Sequence, residues 1–171
     1  FPFKRYQMQP VWRADRPQKG RFREFYQCDA DVVGSDSLWQ EVELIQLYDA
    51  SFTKLGLSTT IKVNNRKILA GMAEVLGISD AFIAFTVAID KLDKVGAEGV
   101  LKEMRAQELP ESAVSTFGQW LEEGLTLERL TGLLEGSSEG KLGLDEMNFV
   151  LSQTVAGLNS AELVFDFTLA R

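Results

Sequence analysis

Two extended runs, joined by a basic turn-forming segment, restrict the fold of this chain more than any other feature. Residues 6–15 and 25–33 are rich in aromatic and β-branched side chains at alternating positions, and Pro17 and Gly20 lie between the two runs. Runs of this kind that are separated by turn residues are typical of paired strands. The sequence therefore predicts an antiparallel hairpin with a long loop.

The predicted hairpin is basic, although the chain as a whole is acidic. Residues 4–23 contain seven Lys or Arg and one acidic residue, whereas the whole chain has a net charge of -7. Arginine presents a planar fork of donors that matches phosphate oxygens two at a time. The segment therefore favours a local anion site, although a solvated surface loop could have the same composition.

Alternation sorts the side chains of the second run into two faces with a period of two. One face carries Phe25, Gln27, Asp29 and Asp31, and the other carries Tyr26, Cys28, Ala30 and Val32. Because unpaired carboxylates are costly to bury, we expect the first face to be wet or to hold a ligand. We expect the second face to lie against the core, with Cys28 as a small buried apolar residue.

A ligand on the charged face would combine three chemical groups. A phosphate group can meet Arg13 and Arg21, a flat base can lie against Phe25, and an ammonium group can meet Gln27 and Asp31. These residues are the candidate site.

The rest of the chain alternates helical and extended patterns. Periodicity predicts helices over 38–55, 66–76, 79–95, 97–107, 111–123, 125–135 and 144–158, strands over 59–63 and 161–170, and a linker over 136–140. This order predicts an α+β fold with an inserted helical module.

Composition limits the chemistry. The chain has one cysteine, which allows no internal disulfide and fits a reducing cytosol, and it has no histidine, the commonest general base and zinc ligand. No run approaches the roughly 18 apolar residues that cross a bilayer, so no membrane partner is expected. The start at Phe1, without Met or signal peptide, suggests an internal piece of a longer protein.

Two motifs resemble a known family. Residues 13–27, Arg-Ala-Asp-Arg-Pro-Gln-Lys-Gly-Arg-Phe-Arg-Glu-Phe-Tyr-Gln, resemble the second signature motif of class II aminoacyl-tRNA synthetases in the form found in histidyl-tRNA synthetases. Residues 165–171, Phe-Asp-Phe-Thr-Leu-Ala-Arg, look like the strand that leads into that family's histidine-recognition signature, with Arg171 as the signature Arg. The runs 61–69 and 87–94 also look like runs of the family.

The resemblance implies a fold and a division of the chain. The expected fold is part of the antiparallel class II sheet with flanking helices and an inserted small helical domain. Residues 1–65 would belong to the catalytic core, 66–141 to the helical insertion domain, and 142–171 to the return to the core.

For the nucleotide, the resemblance implies four roles. Arg13 would contact the α-phosphate of ATP and of the adenylate, Asp15 the adenine side, and Arg21 the outer phosphates, while Phe25 would stack on adenine. Mg²⁺ would come with ATP, and no protein-bound metal is expected.

For the amino acid, the resemblance assigns Gln27 and Asp31 to the ammonium and backbone groups of histidine. Arg171 would stabilise the charge that develops at the reacting carboxylate and phosphate. Asp15 and Asp31 stand where many relatives carry Glu, which is one methylene longer.

The implied activity is that of a histidine–tRNA ligase, which activates histidine with ATP and transfers it to tRNA(His). The full-length parent would be a cytoplasmic homodimer. The isolated piece would be inactive, because the first and third motifs, the tyrosine pocket and the anticodon-binding domain have no counterpart in it. A histidine-sensing regulatory paralogue is the alternative, but such paralogues tend to lose the cationic loop. A plain nucleic-acid-binding module fits poorly with a pI near 4.7.

Overall fold

The computed structural model describes residues 2–170 and has the expected α+β character. The elements in chain order are β1 (Phe3–Trp12), β2 (Glu24–Val33), α1 (Trp39–Lys54), β3 (Thr60–Val63), α2 (Arg66–Val75), α3 (Phe82–Ile89), α4 (Leu92–Ala106), α5 (Glu111–Glu123), α6 (Leu127–Leu133), α7 (Ser138–Val155) and β4 (Glu162–Phe165). A short 3₁₀ turn, Ser79–Ala81, precedes α3. No helix within residues 2–170 combines the length and the apolarity needed to cross a membrane.

The strands form two separate pairs. β1 and β2 pair antiparallel along their whole length, from Phe3 opposite Val33 to Trp12 opposite Glu24, so the expected hairpin is confirmed. β3 and β4 instead pair in parallel, with Ile61 opposite Leu163. Parallel strands need a crossover connection, and here all the helices from α2 to α7 supply it. The expected antiparallel sheet is thus accompanied by a parallel pair.

The main core lies within the helical region. Phe85 of α3 and Phe117 of α5 are fully buried and meet edge to face, with ring centroids 5.2 Å apart. Around them lie further buried side chains: Ile68, Leu69, Met72, Ile89, Val100, Met104, Val114, Leu130, Leu134, Leu144 and Met147. The core therefore includes the first half of α7 as well as α2–α6.

The segment predicted as a linker, residues 136–140, instead leads directly into α7, which begins at Ser138. The Ser137 side chain caps this helix by accepting from the Gly140 backbone N–H at 3.0 Å. Gly140 itself packs on Gly71 of α2, where an added Cβ on Gly71 would lie 2.4 Å from the Gly140 Cα. The glycine therefore permits close approach of two helices rather than chain flexibility. As a consequence, the helix expected over 144–158 spans Ser138–Val155.

A buried carboxylate ties α1 to the loop before β4. Asp49 is fully buried and accepts hydrogen bonds from the backbone N–H groups of Asn159, Ser160 and Ala161 at 2.6, 3.0 and 2.7 Å, and from the Asn159 side chain at 2.7 Å. The backbone bonds, led by that from Asn159, hold the pKa of Asp49 well below its usual value, although burial opposes them. Asp49 is therefore ionised in the folded chain and fixes the entry into β4.

Candidate functional site

The charged face of the hairpin is a continuous row of polar side chains. The register sets Arg5 opposite Asp31, Gln7 opposite Asp29, Gln9 opposite Gln27, and Val11 opposite Phe25. On β2, the members of this row are half-buried, whereas their neighbours on the other face are mostly exposed. The grouping by alternation was therefore correct.

The expectation that the other face would be a core face was wrong. Tyr26 is 79% exposed, and Cys28 is exposed as well rather than buried. Within residues 2–170, α1 lies beside this face but leaves a cavity of 420 Å³, lined in part by Tyr6, Met8 and Cys28 from the hairpin. No described element covers these side chains, so they stay exposed although several of them are apolar.

Three predicted site residues form one cluster, the Arg13 cluster, made of Arg13, Phe25 and Gln27. The Arg13 guanidinium lies over the Phe25 ring, with Cζ 5.2 Å from the centroid, and its Nη2 donates to Gln27 Oε1 at 3.2 Å. Gln27 Nε2 in turn donates to Asp29 Oδ1 at 2.5 Å. The Arg13 backbone N–H donates to the Arg23 carbonyl at 2.8 Å, which extends the pairing beyond Trp12. A cation, an aromatic ring and an amide thus share one surface.

Two other predicted residues meet in the loop of the hairpin. The Arg21 Nε and Asp15 Oδ2 atoms are 4.0 Å apart, and both side chains keep about half of their exposure, 59% and 45%. Arg23 Nε donates to the Asp15 carbonyl at 3.3 Å. The contact between Arg21 and Asp15 is loose, so the Arg21 guanidinium keeps donors free for an anion.

Asp31 lies at the other end of the row and already has a cationic partner. Arg5 Nε donates to Asp31 Oδ2 at 2.8 Å, and the two side chains are 52% and 44% exposed. Asp31 lies four positions after Gln27 along the strand, a span of about 13 Å between Cα atoms. The structure thus divides the predicted amino-acid-binding pair between two places on one face.

Arg171 lies outside the described residues, but the segment that leads to it is well anchored. Asp166 Oδ2 accepts from Lys62 Nζ at 2.7 Å, and its Oδ1 accepts from the Thr168 backbone N–H at 2.9 Å and hydroxyl at 2.6 Å. Burial raises the pKa of Asp166, but the hydrogen bonds from Lys62 and Thr168 outweigh burial and hold the pKa below its usual value. Asp166 is therefore an ionised anchor.

The comparisons with known proteins decide the family. The family model of histidyl-tRNA synthetase matches residues 4–171. The chain belongs to the histidyl-tRNA synthetase family. Its relatives include the histidine–tRNA ligases of Christiangramia forsetii and Flavobacterium johnsoniae, each 58% identical to the whole chain, and that of Bacteroides fragilis strain YCH46, which is 54% identical.

A solved structure agrees with the sequence comparisons. The crystal structure of histidyl-tRNA synthetase from Nostoc sp. PCC 7120 matches the whole chain with a TM-score of 0.84 at 28% identity. The chain covers 41% of that structure and 39%, 37% and 38% of the three curated relatives. The class II synthetase fold expected from the two motifs is therefore confirmed, and the chain spans well under half of the length of these relatives.

Sequence reasoning missed the residues that hold this synthetase segment together. Asp49 lies within a helix, and its partners lie 110–112 positions further along the chain. No local sequence pattern therefore indicates its role. The sequence offered one weak signal, an aspartate at a position that faces the core side of an amphipathic helix. Buried carboxylates in such positions are paired or hydrogen-bonded.

Proposed function

We propose that the full-length protein is a histidine–tRNA ligase that forms histidyl-adenylate from histidine and ATP and transfers histidine to tRNA(His). The observation that carries the proposal is the Arg13 cluster. It combines, on one face of a hairpin with the family's second motif, a fixed guanidinium, an aromatic ring and an amide. These groups match the phosphate, base and amino acid of an aminoacyl-adenylate.

ATP would lie along the charged face with its base toward Phe25. One side of the Phe25 ring carries the Arg13 guanidinium, which leaves the other side for adenine. Arg13 would then reach the α-phosphate, Arg21 would bind the outer phosphates through its free donors, and Asp15 would lie on the adenine side. Mg²⁺ would enter with the nucleotide and neutralise phosphate charge.

Histidine would bind along this face, with Gln27 and Asp31 holding its ammonium and backbone groups from two places and Asp31 meeting the ammonium group. The ammonium group would compete with Arg5 for Asp31, because Arg5 donates to the same carboxylate. Arg13 and Arg171 would stabilise the negative charge that develops as the carboxylate attacks the α-phosphate. Preorganised charged donors of this kind are among the largest contributors to catalysis.

Several broader features are proposed on family membership alone. The full-length protein would act as a cytoplasmic homodimer with ATP, L-histidine and tRNA(His) as its substrates. Residues 1–65 and 142–171 would form part of its catalytic core, and residues 66–141 would form most of its insertion domain.

The test is ATP–pyrophosphate exchange with the full-length protein. We expect exchange that requires histidine and that other amino acids do not support. The isolated chain, residues 1–171, should give only background, because transition-state stabilisation needs groups from the rest of the catalytic domain. Exchange that is indifferent to histidine, or absent from an otherwise folded full-length protein, would refute the proposal.

A further inference from the structure

Beyond Asp166, the chain after β4 is held by side chains rather than by strand pairing. Residues 166–170 have no strand assignment, yet the Asn64 Nδ2 group donates both of its hydrogens to this segment. The acceptors are the Phe167 carbonyl at 3.2 Å and the Leu169 carbonyl at 3.0 Å. One amide therefore fixes two peptide groups that lie two residues apart.

The topology explains why Asn64 can reach this segment. Asn64 directly follows β3, and β3 pairs in parallel with β4, with Val63 opposite Phe165. In a parallel pair the residues that follow both strands emerge at the same edge of the sheet. The Asp166 N–H also donates to the Val63 carbonyl at 2.9 Å, which carries the pairing to the point where Asn64 takes over.

A second anchor reinforces the first. Asp166 accepts from Lys62 and from Thr168, and the Leu169 backbone N–H donates to the Asp166 carbonyl at 3.2 Å. The final described residue, Ala170, is 7% exposed and belongs to the main core. The backbone of residues 166–170, which leads to residue 171, is thus fixed at its start by Asp166 and at its end by Ala170.

We propose that Asn64 is a positioning residue for histidine activation, which acts by holding the backbone that leads into Arg171. The inference rests on the proposed function, in which Arg171 stabilises developing charge at the reacting groups. A cation contributes to a transition state only when it is already in place. Residues 167–169 have no strand partner, so without Asn64 only the anchors at Asp166 and Ala170 would hold them. A misplacement of about 1 Å can cost about 100-fold in rate.

Asparagine is suited to this role, and its neighbour provides a control. Asp lacks donors when ionised and Ala lacks them altogether, so neither can bind two carbonyls. Asn65 is the same residue type one position away, but it caps α2 by accepting from the Lys67 N–H, and it donates to Glu146 Oε2 at 2.7 Å. Among the described residues, Asn65 makes no hydrogen bond to residues 166–170, so Asn65→Ala perturbs the same region without releasing the segment.

The first measurement is hydrogen exchange of the full-length protein carrying Asn64→Ala or Asn65→Ala. We expect the amides of Thr168 and Leu169 to exchange faster in Asn64→Ala than in the parent protein, and to keep their parent rates in Asn65→Ala. Equal protection of these two amides in the parent protein and in Asn64→Ala would overturn the inference. This readout does not depend on enzymatic activity.

The second measurement is histidine-dependent pyrophosphate exchange. Asn64→Ala should lower kcat by about 10- to 100-fold while the KM values for ATP and histidine change little. In an Arg171→Ala background, Asn64→Ala should cause no further loss, because residues that act as one unit are non-additive. Losses that multiply, or an unchanged kcat, would overturn the inference. A parent protein without histidine-dependent exchange would instead refute the proposed function, and the hydrogen-exchange result would still decide whether Asn64 holds the segment.

Discussion

At the residue scale, the candidate site residues are held to their neighbours without any ligand. Arg13 donates to Gln27 and covers Phe25, and Arg5 neutralises Asp31. Groups that are already paired lose little side-chain freedom when a ligand arrives, which favours a preorganised site. A ligand that binds one of these groups must also displace the partner that the group already has. Substitutions on this face should therefore separate effects on rate from effects on affinity.

For Arg13→Ala we expect the rate of histidine activation to fall far more than the affinity for histidine. Loss of one preorganised charged donor costs about 2.7–4 kcal/mol in the transition state. Single-turnover formation of the adenylate by the full-length protein measures the rate, and an equilibrium titration with histidine measures the affinity. Arg105→Ala is the control, because Arg105 is an exposed arginine of α4 that pairs with Glu111 of α5 and is not one of the candidate site residues. An unchanged activation rate in Arg13→Ala would exclude Arg13 from the chemistry.

For Asp31→Asn we expect the opposite pattern, in which the KM for histidine rises before kcat falls. Asp31 is proposed to bind the ammonium group in the ground state as well as in the transition state. Its loss should therefore weaken the binding of both states by the same amount. Steady-state pyrophosphate exchange at varied histidine measures the two constants. If the KM for ATP rose instead and that for histidine stayed constant, Asp31 would lie on the nucleotide side of the site.

Asp49 predicts a dependence of stability on pH. Its pKa is lowered in the folded chain, so its contribution is fully present above the unfolded pKa of about 3.9 and is lost as the pH falls toward the folded value. Near neutral pH, we expect the thermal midpoint of Asp49→Asn to lie below that of the parent chain. Below about pH 4, where the parent chain loses this contribution, the two midpoints should approach each other. Asp36→Asn, at an exposed position before α1, is the control. A difference that stays constant across this range would show that Asp49 contributes through packing alone.

At the element scale, periodicity was informative wherever the pattern and its partner lay close together. The hairpin and the grouping of its side chains into two faces followed from spacing, because each depends on contacts within a short stretch. In the inserted region spacing indicated helices, but the helix expected over 79–95 is divided between α3 and the start of α4. Which face of β2 is covered could not be derived, because burial depends on elements that pack from elsewhere. The glycines of residues 136–140 were misread for the same reason. Gly140 packs against Gly71, which lies about 70 positions away in the sequence, so no local pattern could indicate this contact.

The contact between α2 and α7 should be sensitive to a single methyl group. Gly71→Ala would place Cβ 2.4 Å from the Gly140 Cα, and this backbone cannot move without separating the helices. Overpacking of this kind typically costs about 1–3 kcal/mol. Gly132→Ala in α6 is the matched control, because no atom lies within 4 Å of its added Cβ, and we expect it to gain about 0.5–1 kcal/mol from helix propensity. Chemical denaturation of both variants measures the difference, and equal effects would contradict the close packing.

At the scale of the whole molecule, a helix crosses the domain boundary expected at residue 141. α7 continues through residue 141, and its residues Leu144 and Met147 belong to the same core as Ile68 of α2. The boundary expected from the linker pattern therefore cuts a helix that this core requires. We propose that the independently stable unit extends to the end of α7.

Two excised pieces test this boundary. We expect residues 66–158 to melt cooperatively and residues 66–141 to be largely unfolded. The shorter piece loses burial of Leu144 and Met147, worth about 1.5–3 kcal/mol each, which is comparable to the total stability of a small domain. Circular dichroism of the two pieces against temperature is the measurement. Cooperative melting of the shorter piece at the same midpoint would place the boundary back at residue 141.

The same module should bind RNA poorly by itself. Residues 97–146 contain eleven acidic and four basic residues, and among the cations Arg105 and Arg129 are paired with Glu111 and Glu123. Non-specific affinity comes from release of counterions when free Lys or Arg neutralise phosphates. We therefore expect residues 66–158 to show no binding of tRNA at physiological salt, whereas the whole chain binds weakly through the basic hairpin and loses that affinity as salt is added. Fluorescence anisotropy of labelled tRNA with both proteins decides the matter. Micromolar binding by the module that weakens steeply with salt would mean that its few basic residues gather into one patch despite the acidic average.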